Sequence, residues 1–479
     1  MIARSRFLAP ALLMLAAGCT QTTGPRLEAE APPPPATRPA MTAGHAPEPP
    51  GRPELPAEPT LSDYLSHAAL RNPGLAAAFH RWKAALEVAP QVRALPDPRF
   101  TYAYYIQEVE TRVGPQRNSL QLAQTFPWLG TLRLRGDVAG QAAEAARLRY
   151  EAEKLKLFYR VKEAYYEYYY LGRAVATTQE NLRLLGHLES VVRTRYKTGA
   201  ARPGKPPTGH ADLIRLQVEL GKLEDRLRSL RDMRRPMMAR LAAALGLPAG
   251  RELPWPREVE PADARLDDEQ LVAWAGETSP ELRALDADAA GRRKQVALAR
   301  KARWPDVTLG LTWIDTDDAV GPMRPDDSGT DPWIASVSIH VPVWPDKLEA
   351  GVREAHFRHL AALKQRADAS NDLAARVKLA GFRCRDAQGK LRLYRRVLLP
   401  RATESLQVTE KAFLSGEAGF SDLIDAQRVL LEFQLAAERA LADRARHLAH
   451  LEMLVGRELR RPIAPADGRP GPDTKEKPE

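Results

Sequence analysis

Two long stretches almost free of proline constrain the fold of this chain more than any other feature. Residues 132–196 contain no proline, and residues 347–413 contain only Pro400. As α-helices, which rise 1.5 Å per residue, each would be roughly 100 Å long. Each stretch leads through a glycine-containing turn into a second helix-like run, residues 211–245 and 422–454. Helices of this length exceed those of ordinary globular domains, so the sequence predicts a coiled-coil or helical-repeat assembly.

The predicted elements follow the same order twice along the chain. In each half two shorter helices, broken at Asn72-Pro73 or Ser279-Pro280, precede two strand-like segments and a long helical pair. The strands are predicted from alternating polar and apolar residues at 99–107, 118–126, 307–314 and 333–341. Matching positions such as Asp212 and Asp422 lie about 210 residues apart, which indicates an internal two-fold repeat. The fold class is therefore α+β and mostly α.

These patterns divide the chain into six parts. Proline, alanine, glutamate and threonine dominate the stretch after the N-terminal segment, which is typical of an extended tether. The predicted domains are a signal peptide (1–19), a proline-rich tether (20–59), a first repeat (60–247), a linker (248–266), a second repeat (267–457) and a disordered tail (458–479).

The N-terminal segment predicts a bacterial lipoprotein signal. Arg4 and Arg6 precede a short apolar core that ends in small residues followed by Cys19. We expect lipidation of Cys19; the alternative is a plain secretory signal with an incidental cysteine. The residues after Cys19 include no adjacent aspartate, which by resemblance to bacterial lipoproteins favours the outer membrane. Because one acyl chain anchors a protein only marginally, a further membrane contact is expected.

Charge and motifs exclude several classes of function. The formal charge is +10, but lysine and arginine alternate with acidic residues along the helices, as on solvated faces, so no nucleic-acid partner is expected. The sequence lacks His-Glu-x-x-His, Gly-x-Ser-x-Gly and a phosphate-binding glycine loop, so no enzymatic activity, catalytic residue or cofactor is expected. The pairs His356/His359 and His447/His450 have a spacing that suits a metal, but such pairs on arginine-rich helices are more often solvated, and no metal site is expected.

The backbone N–H and C=O groups at the edges of the predicted strands need hydrogen-bond partners. An unpaired backbone group in a bilayer costs several kcal/mol, so four strands with open edges are unstable there. A closed barrel built from several chains removes the edges, and Pro-Trp corners such as Pro127-Trp128 suit a membrane interface. A soluble β-subdomain on a helical stalk is the alternative. A barrel continued by a tube of helices would form a conduit.

Several motifs, in this order, resemble the TolC family of outer-membrane efflux proteins. They are the lipoprotein start, the Asn-Pro and Ser-Pro breaks, Leu95-Pro96-Asp97-Pro98, Phe126-Pro127-Trp128-Leu129-Gly130 and the turn from Gly416 to Asp425. The resemblance covers about residues 60–457, and the segment 126–130 is similar to ducts of the heavy-metal and multidrug subgroup. It implies a homotrimer with a twelve-stranded outer-membrane β-barrel, four strands per chain, continued by a long periplasmic α-helical barrel.

The resemblance also implies a function. Such proteins are passive exit ducts for small molecules or metal cations in tripartite pumps, and they join a periplasmic adaptor and an inner-membrane efflux transporter. The contrasting hypothesis is a lipid-anchored scaffold lipoprotein whose helical hairpins form no pore.

Candidate site residues lie at the helical turns. By resemblance, Asp422 and Asp425 constrict the pore; they share a helix face, and threefold symmetry would make two acidic rings that select cations. The alternative for Asp422 is a first-turn carboxylate favoured by the helix dipole. Arg215 replaces the matching aspartate in the first repeat and is expected to pair with a carboxylate of a neighbouring turn. Ser421 is the predicted N-cap of the last helix. The residues expected to contact the adaptor are Tyr196, Gly199, Phe413 and Gly416.

Overall fold

A computed structural model describes residues 55–198, 210–256, 259, 267–321 and 323–459. The predicted signal peptide with Cys19, most of the tether and of the tail, and Gly199 lie outside this part of the chain. Its helices are α1 (Leu61–Arg71), α2 (Pro73–Arg93), α3 (Thr131–Thr198), α4 (His210–Asp232), α5 (Arg234–Leu245), α6 (Asp268–Thr278), α7 (Pro280–Lys301), α8 (Pro345–Leu393), α9 (Leu399–Ser415) and α10 (Phe420–Val455). Its strands are β1 (Arg99–Thr111), β2 (Gly114–Phe126), β3 (Asp306–Thr316) and β4 (Trp333–His340).

The break between α1 and α2 is built by Asn72 and Pro73. The Asn72 side-chain oxygen accepts a hydrogen bond from the Leu75 amide at 3.1 Å and caps α2, while Pro73 occupies the first helical position, where a missing N–H is tolerated. The Asn72 amide also donates to the Ala244 carbonyl at 3.0 Å. The predicted helix break is therefore also a tertiary anchor between α2 and α5.

The long helices are confirmed, with two interruptions that the sequence analysis did not predict. The return run at 211–245 is split between α4 and α5, because the ring of Pro236 would clash with the carbonyl of Asp232, where α4 ends. The arm at 347–413 contains a π-helical turn, Tyr394–Leu398, immediately before Pro400. A π turn moves the backbone away from the proline ring, so the helix continues without a sharp break. In the described part of the chain, no helix is both long and apolar enough to span a membrane.

The four strands form one antiparallel sheet in the order β1-β2-β3-β4. All four strand predictions are confirmed, although β1, β2 and β3 are longer than expected. The central pair joins the two halves of the chain, with Leu122 opposite Leu311. The acidic loop before β4 is fastened to the first hairpin, since Arg117 forms ion pairs with Glu108 at 2.7 Å and with Asp317 at 3.0 Å.

The helices that adjoin the strands form a row in the same order. Helix α2 packs on α3, α3 on α7, and α7 on α8. Ion pairs fasten the central pair of helices, among them Lys294 with Asp137 at 3.0 Å and Lys156 with Glu281 at 3.2 Å. The sheet and the helical row are thus one continuous wall, in which each half of the chain supplies two strands and two helices.

A tyrosine-rich core thickens this wall where α1 and α5 pack on α3. Tyr64 is buried against the edge of Tyr165 with ring centres 5.9 Å apart, and burial raises the pKa of Tyr64 well above its usual value. Tyr168 stacks on Trp255 of the segment after α5 at 4.7 Å. Trp255 lies so close to Gly172 that a Cβ there would approach its ring to 2.8 Å. Stacking of large aromatic side chains therefore fixes the segment after α5 against the long helix α3.

Candidate functional site

The sheet has one apolar and one polar face, and the register between strands aligns each kind of residue across all four strands. On the apolar face, residues that are opposite each other on neighbouring strands form rows across the sheet. One row consists of Phe100, Leu122, Leu311 and Ala335, and the next consists of Tyr102, Leu120, Trp313 and Trp333. Phe100 is 65% exposed and Val337 is 67% exposed. Side chains of this kind are rarely left in water as a continuous patch, so this face is suited to a bilayer.

The opposite face of the sheet is lined by small and polar side chains. Thr125 and Thr308 hydrogen-bond across the central strands with their hydroxyl oxygens 2.9 Å apart. The rows on this face are Thr101, Gln121, Thr312 and Ile334; Ala123, Gly310 and Ser336; and Thr125, Thr308 and Ser338. This face suits contact with water.

Both outer strands have an unpaired edge in the single chain. β1 and β4 are the terminal strands of the sheet, and α2 and α8 are the terminal helices of the row that continues it. Both helices carry exposed apolar residues. They are Leu86 and Val88 of α2 and Phe357, Leu360, Leu363, Leu379, Phe382 and Leu393 of α8. An open sheet edge in a bilayer leaves backbone groups without partners, so the wall is complete only when other strands join it.

Two tryptophans and an aspartate lock the junction between sheet and helices. Trp128 from the first half and Trp304 from the second stack almost parallel, with ring centres 4.8 Å apart and an interplanar angle of 7°. The Trp128 amide donates to the Asp306 carboxylate at 3.0 Å. The Pro127-Trp128 corner predicted from sequence therefore meets the segment after α7, and this contact fixes how the strands enter the helical row.

At the far end of the long helices, the two helical hairpins are joined by an apolar cluster. The α3/α4 and α9/α10 hairpins contribute buried residues to it. Its members are Leu185, Val192, Leu216, Phe413, Phe420, Leu423 and Ile424. Phe413 and Phe420 meet edge to face at 5.9 Å across the α9–α10 turn. We call this end of the molecule the tip. Burial of these side chains ties the two hairpins together.

The structure places Asp422 in a capping role. Gly419 is the N-cap of α10, and the Asp422 carboxylate accepts a hydrogen bond from the Gly419 amide at 2.9 Å. The prediction that Ser421 is the N-cap is therefore wrong; Ser421 is the second residue of the helix, because Phe420 is already helical. Ser421 instead accepts a hydrogen bond from Arg215 Nη1 at 2.7 Å, which links α4 to α10. Pairing of Arg215 with a carboxylate of a neighbouring turn stays a prediction.

Asp425 belongs to a charge network that the sequence analysis missed. Arg428, one turn further along α10, donates to Asp425 at 3.0 Å and to Glu219 of α4 at 3.1 Å through Nε. The side chain of Glu219 is 12% exposed, and its hydrogen bond with Arg428 lowers its pKa. The three-residue spacing of Asp425 and Arg428 signals the first contact, whereas the second depends on how α4 packs against α10. Asp425 itself stays 67% exposed.

The residues expected to contact an adaptor have different positions. Gly416 ends α9 in a left-handed conformation at φ +82°, where a side chain would be strained. Phe413 is buried in the tip cluster, so it shapes the turn from within. Tyr196 lies in the last turns of α3, and Gly199 lies outside the described residues.

The expectation that the histidine pairs are solvated is wrong for one of them. His447 and His450 on α10 are both about half buried, and His450 lies against Tyr159 with ring centres 4.9 Å apart. Burial lowers the pKa of His447 to about 4 and also lowers that of His450. Both histidines are therefore neutral at neutral pH and act as packing residues of the helical wall.

A long helical wall continued by a short sheet with one apolar and one polar face is the architecture of a membrane-embedded protein. Comparison with known proteins identifies the family. The sequence profile of the outer membrane efflux protein family matches residues 64–204 and 271–457, and the chain belongs to that family. The two matched segments correspond to the two halves of the wall.

Individual relatives are distant in sequence and similar in fold. The chain is 22% identical over 414 residues to nodulation protein T of Rhizobium leguminosarum bv. trifolii, covering 83% of this chain and 86% of that protein. The structure matches the outer-membrane channel OprN with a TM-score of 0.69 at 19% identity, covering 83% of this chain and 90% of OprN. It also matches the open state of the MtrE outer membrane channel of Neisseria gonorrhoeae with a TM-score of 0.66 at 19% identity, covering 84% and 90%.

Proposed function

We propose that this protein is the outer-membrane exit duct of a tripartite efflux pump, a passive conduit for small molecules or metal cations. The observation that carries the proposal is the sheet, whose apolar face suits lipid and whose polar face suits a water-filled lumen. The helical row continues that wall without a break, so the lumen extends into the periplasm. Energy for transport comes from an inner-membrane transporter, reached through a periplasmic adaptor.

The duct is a homotrimer. The open edges of β1 and β4 support this, because a head-to-tail contact between identical chains, repeated around an axis, pairs every edge and closes a ring. Three chains with four strands each give the twelve-stranded barrel implied by the family resemblance. The exposed apolar residues of α2 and α8 then meet at each boundary between protomers.

The tips of the helical hairpins form the periplasmic entrance. Asp425 is exposed there, and threefold symmetry brings three copies of it around the axis. Asp422 contributes charge to the same ring while it caps α10. The turns that include Tyr196, Gly199, Phe413 and Gly416 contact the adaptor. Lipidation of Cys19 anchors the chain to the outer membrane in addition to the barrel.

Planar-bilayer conductance of the purified full-length protein tests this function. We expect cation-selective openings that trivalent cations block from the periplasmic side, and weaker block in Asp425→Asn. Asp386→Asn is the matched control, because Asp386 lies far from the tip turns along α8 and pairs with Lys390 of its own helix at 2.8 Å. A verified oligomer of the wild-type protein that never conducts, even when Arg428 is replaced to loosen the tip, would favour the scaffold without a pore.

A further inference from the structure

A cavity of 560 Å³ lies at the junction between the sheet and the helical row. It is lined by the end of α7 and by the facing sides of α3 and α8, the two helices that flank α7. Asp306 and His340 lie at its rim; they are opposite each other in the β3–β4 register, at the end of the polar face of the sheet. The cavity therefore opens on the side of the polar face. Its volume falls within the range of about 300–1,000 Å³ that is typical of small-molecule sites.

The charges that line this cavity are mostly positive. Arg135 of α3, Arg292 of α7 and Lys301 at the end of α7 all contribute to it. In the described part of the chain, none of these three cations forms an ion pair with a carboxylate; Arg292 donates only to the neutral amide oxygen of Gln295, at 3.0 Å. A concave site with unneutralised cations concentrates anions.

The two carboxylates that line the cavity are already engaged. Glu354 of α8 forms an ion pair with Arg358, one turn further along the helix, at 2.6 Å. Asp306 accepts the Trp128 amide hydrogen bond described above. Among the described residues, neither carboxylate forms an ion pair with Arg135, Arg292 or Lys301, so the cavity lining keeps a net positive charge.

The cavity also offers an apolar surface beside its cations. One face of Trp304 stacks on Trp128, yet the Trp304 side chain is still 53% exposed. Leu298 and Pro342 continue this apolar surface within the cavity. A flat ring therefore has a packing surface within the same cavity as guanidinium groups, which bind carboxylates and sulfonates through two parallel hydrogen bonds.

We propose that this cavity is a binding site for amphipathic organic anions, molecules with an aromatic or apolar body and a carboxylate, sulfonate or phosphate group. This inference rests on the proposed function for its location, because the polar face lines the lumen only if the sheet closes into a barrel. A homotrimer then carries three such sites around the lumen, below the barrel. They favour anionic cargo at the point where it passes from the helical tube into the barrel.

Isothermal titration of the full-length protein in detergent with naphthalene-2-carboxylate tests the site, with empty micelles as the blank. We expect saturable binding of one molecule per chain, at least tenfold tighter than naphthalene-2-methanol and naphthalen-2-ylmethylammonium, which have the same ring system. The double variant Arg135→Gln/Lys301→Gln weakens binding at least tenfold. Arg353→Gln is the matched control and leaves binding unchanged, because Arg353 pairs with Glu349 on its own helix and does not line the cavity.

Ala355→Trp provides a second variant that fills the cavity without changing its charge, and it abolishes binding. Equal affinity for the acid, the alcohol and the ammonium, or wild-type affinity in both the double variant and Ala355→Trp, would overturn the site. Conductance measured on the same preparation separates this inference from the proposed duct. A pore that conducts but does not bind the acid contradicts only the site. Binding by an oligomer that never conducts upholds the anion site and contradicts the duct.

Discussion

Replacing Arg428 with glutamine should loosen the tip and raise the open probability of the channel. Arg428 is the cation that joins α10 to Glu219 of α4, and these helices belong to different hairpins. We expect that widening the entrance separates the two hairpins, so this contact should break during opening. Glutamine keeps most of the length of the side chain and removes its charge.

The size of the effect follows from the burial of the two partners. Exposed ion pairs contribute about 0.2–1 kcal/mol, whereas hydrogen bonds to charged groups contribute about 1.5–3 kcal/mol. Arg428 is half exposed but Glu219 is only 12% exposed, so the contact should contribute an energy between these two ranges, about 1.5 kcal/mol. Since about 1.4 kcal/mol is a factor of ten, the opening equilibrium should shift about tenfold per protomer.

Single-channel recording in planar bilayers measures this change as open probability and mean conductance. Arg401→Gln is the matched control, because Arg401 on α9 is 78% exposed and pairs with Glu404 of its own helix. The control should behave like the wild-type protein. An open probability of Arg428→Gln within twofold of wild type, in a variant with normal oligomeric state, would show that the Arg428–Glu219 contact does not hold the tip closed.

Three further changes test the wall itself. Glu452→Gln breaks the ion pair with Lys162, in which the Glu452 side chain is 6% exposed and the Lys162 side chain 13% exposed. It should lower the free energy of unfolding by about 3 kcal/mol, measured by chemical unfolding, and unchanged stability would mean that water compensates the charge of Lys162. Leu423→Ala removes a fully buried side chain at the tip and should cost about 2–5 kcal/mol, seen as faster hydrogen exchange there, whereas exposed Leu414→Ala should not change exchange. The pKa of His447 is about 4 in the folded protein and 6.5 in the unfolded chain, so protonation favours the unfolded state. The melting temperature should therefore fall as the pH drops from 6.5 to 4, and it should fall less steeply in His447→Gln.

Local patterns in the sequence were sufficient to predict most helices and the four strands of the sheet. Alternation predicted all four strands, and the absence of proline predicted α3. The breaks before Pro236 and Pro400 were missed because a proline within a long apolar pattern either ends a helix or is absorbed by a local distortion, and the pattern alone does not decide between them.

The candidate site was less predictable, because its contacts join residues far apart in sequence. Trp128 was expected at a corner, but its stacking on Trp304 depends on the pairing of β2 with β3. Glu219 was not singled out, since its significance comes only from the cation that α10 places beside it. Ser421 was misassigned because serine is a common N-cap, whereas here the turn after Gly416 leaves the N-cap position to Gly419.

Sequence differences between the two halves explain how the two helical hairpins are held together at the tip. With an offset of about 210 residues, the position of Arg428 in the second half corresponds to Val218 in the first, next to Glu219. Likewise, Asp425 corresponds to Arg215. Glu219, the partner of Arg428, corresponds in the same way to Val429, so neither partner of this contact has its like in the other half. An exact repeat of either half would therefore lack this contact, whereas the two diverged halves place a carboxylate of α4 beside a cation of α10. Each half therefore supplies the same kinds of element to the continuous wall, whereas the differences between the halves at the tip supply contacts that we expect an opening transition to break.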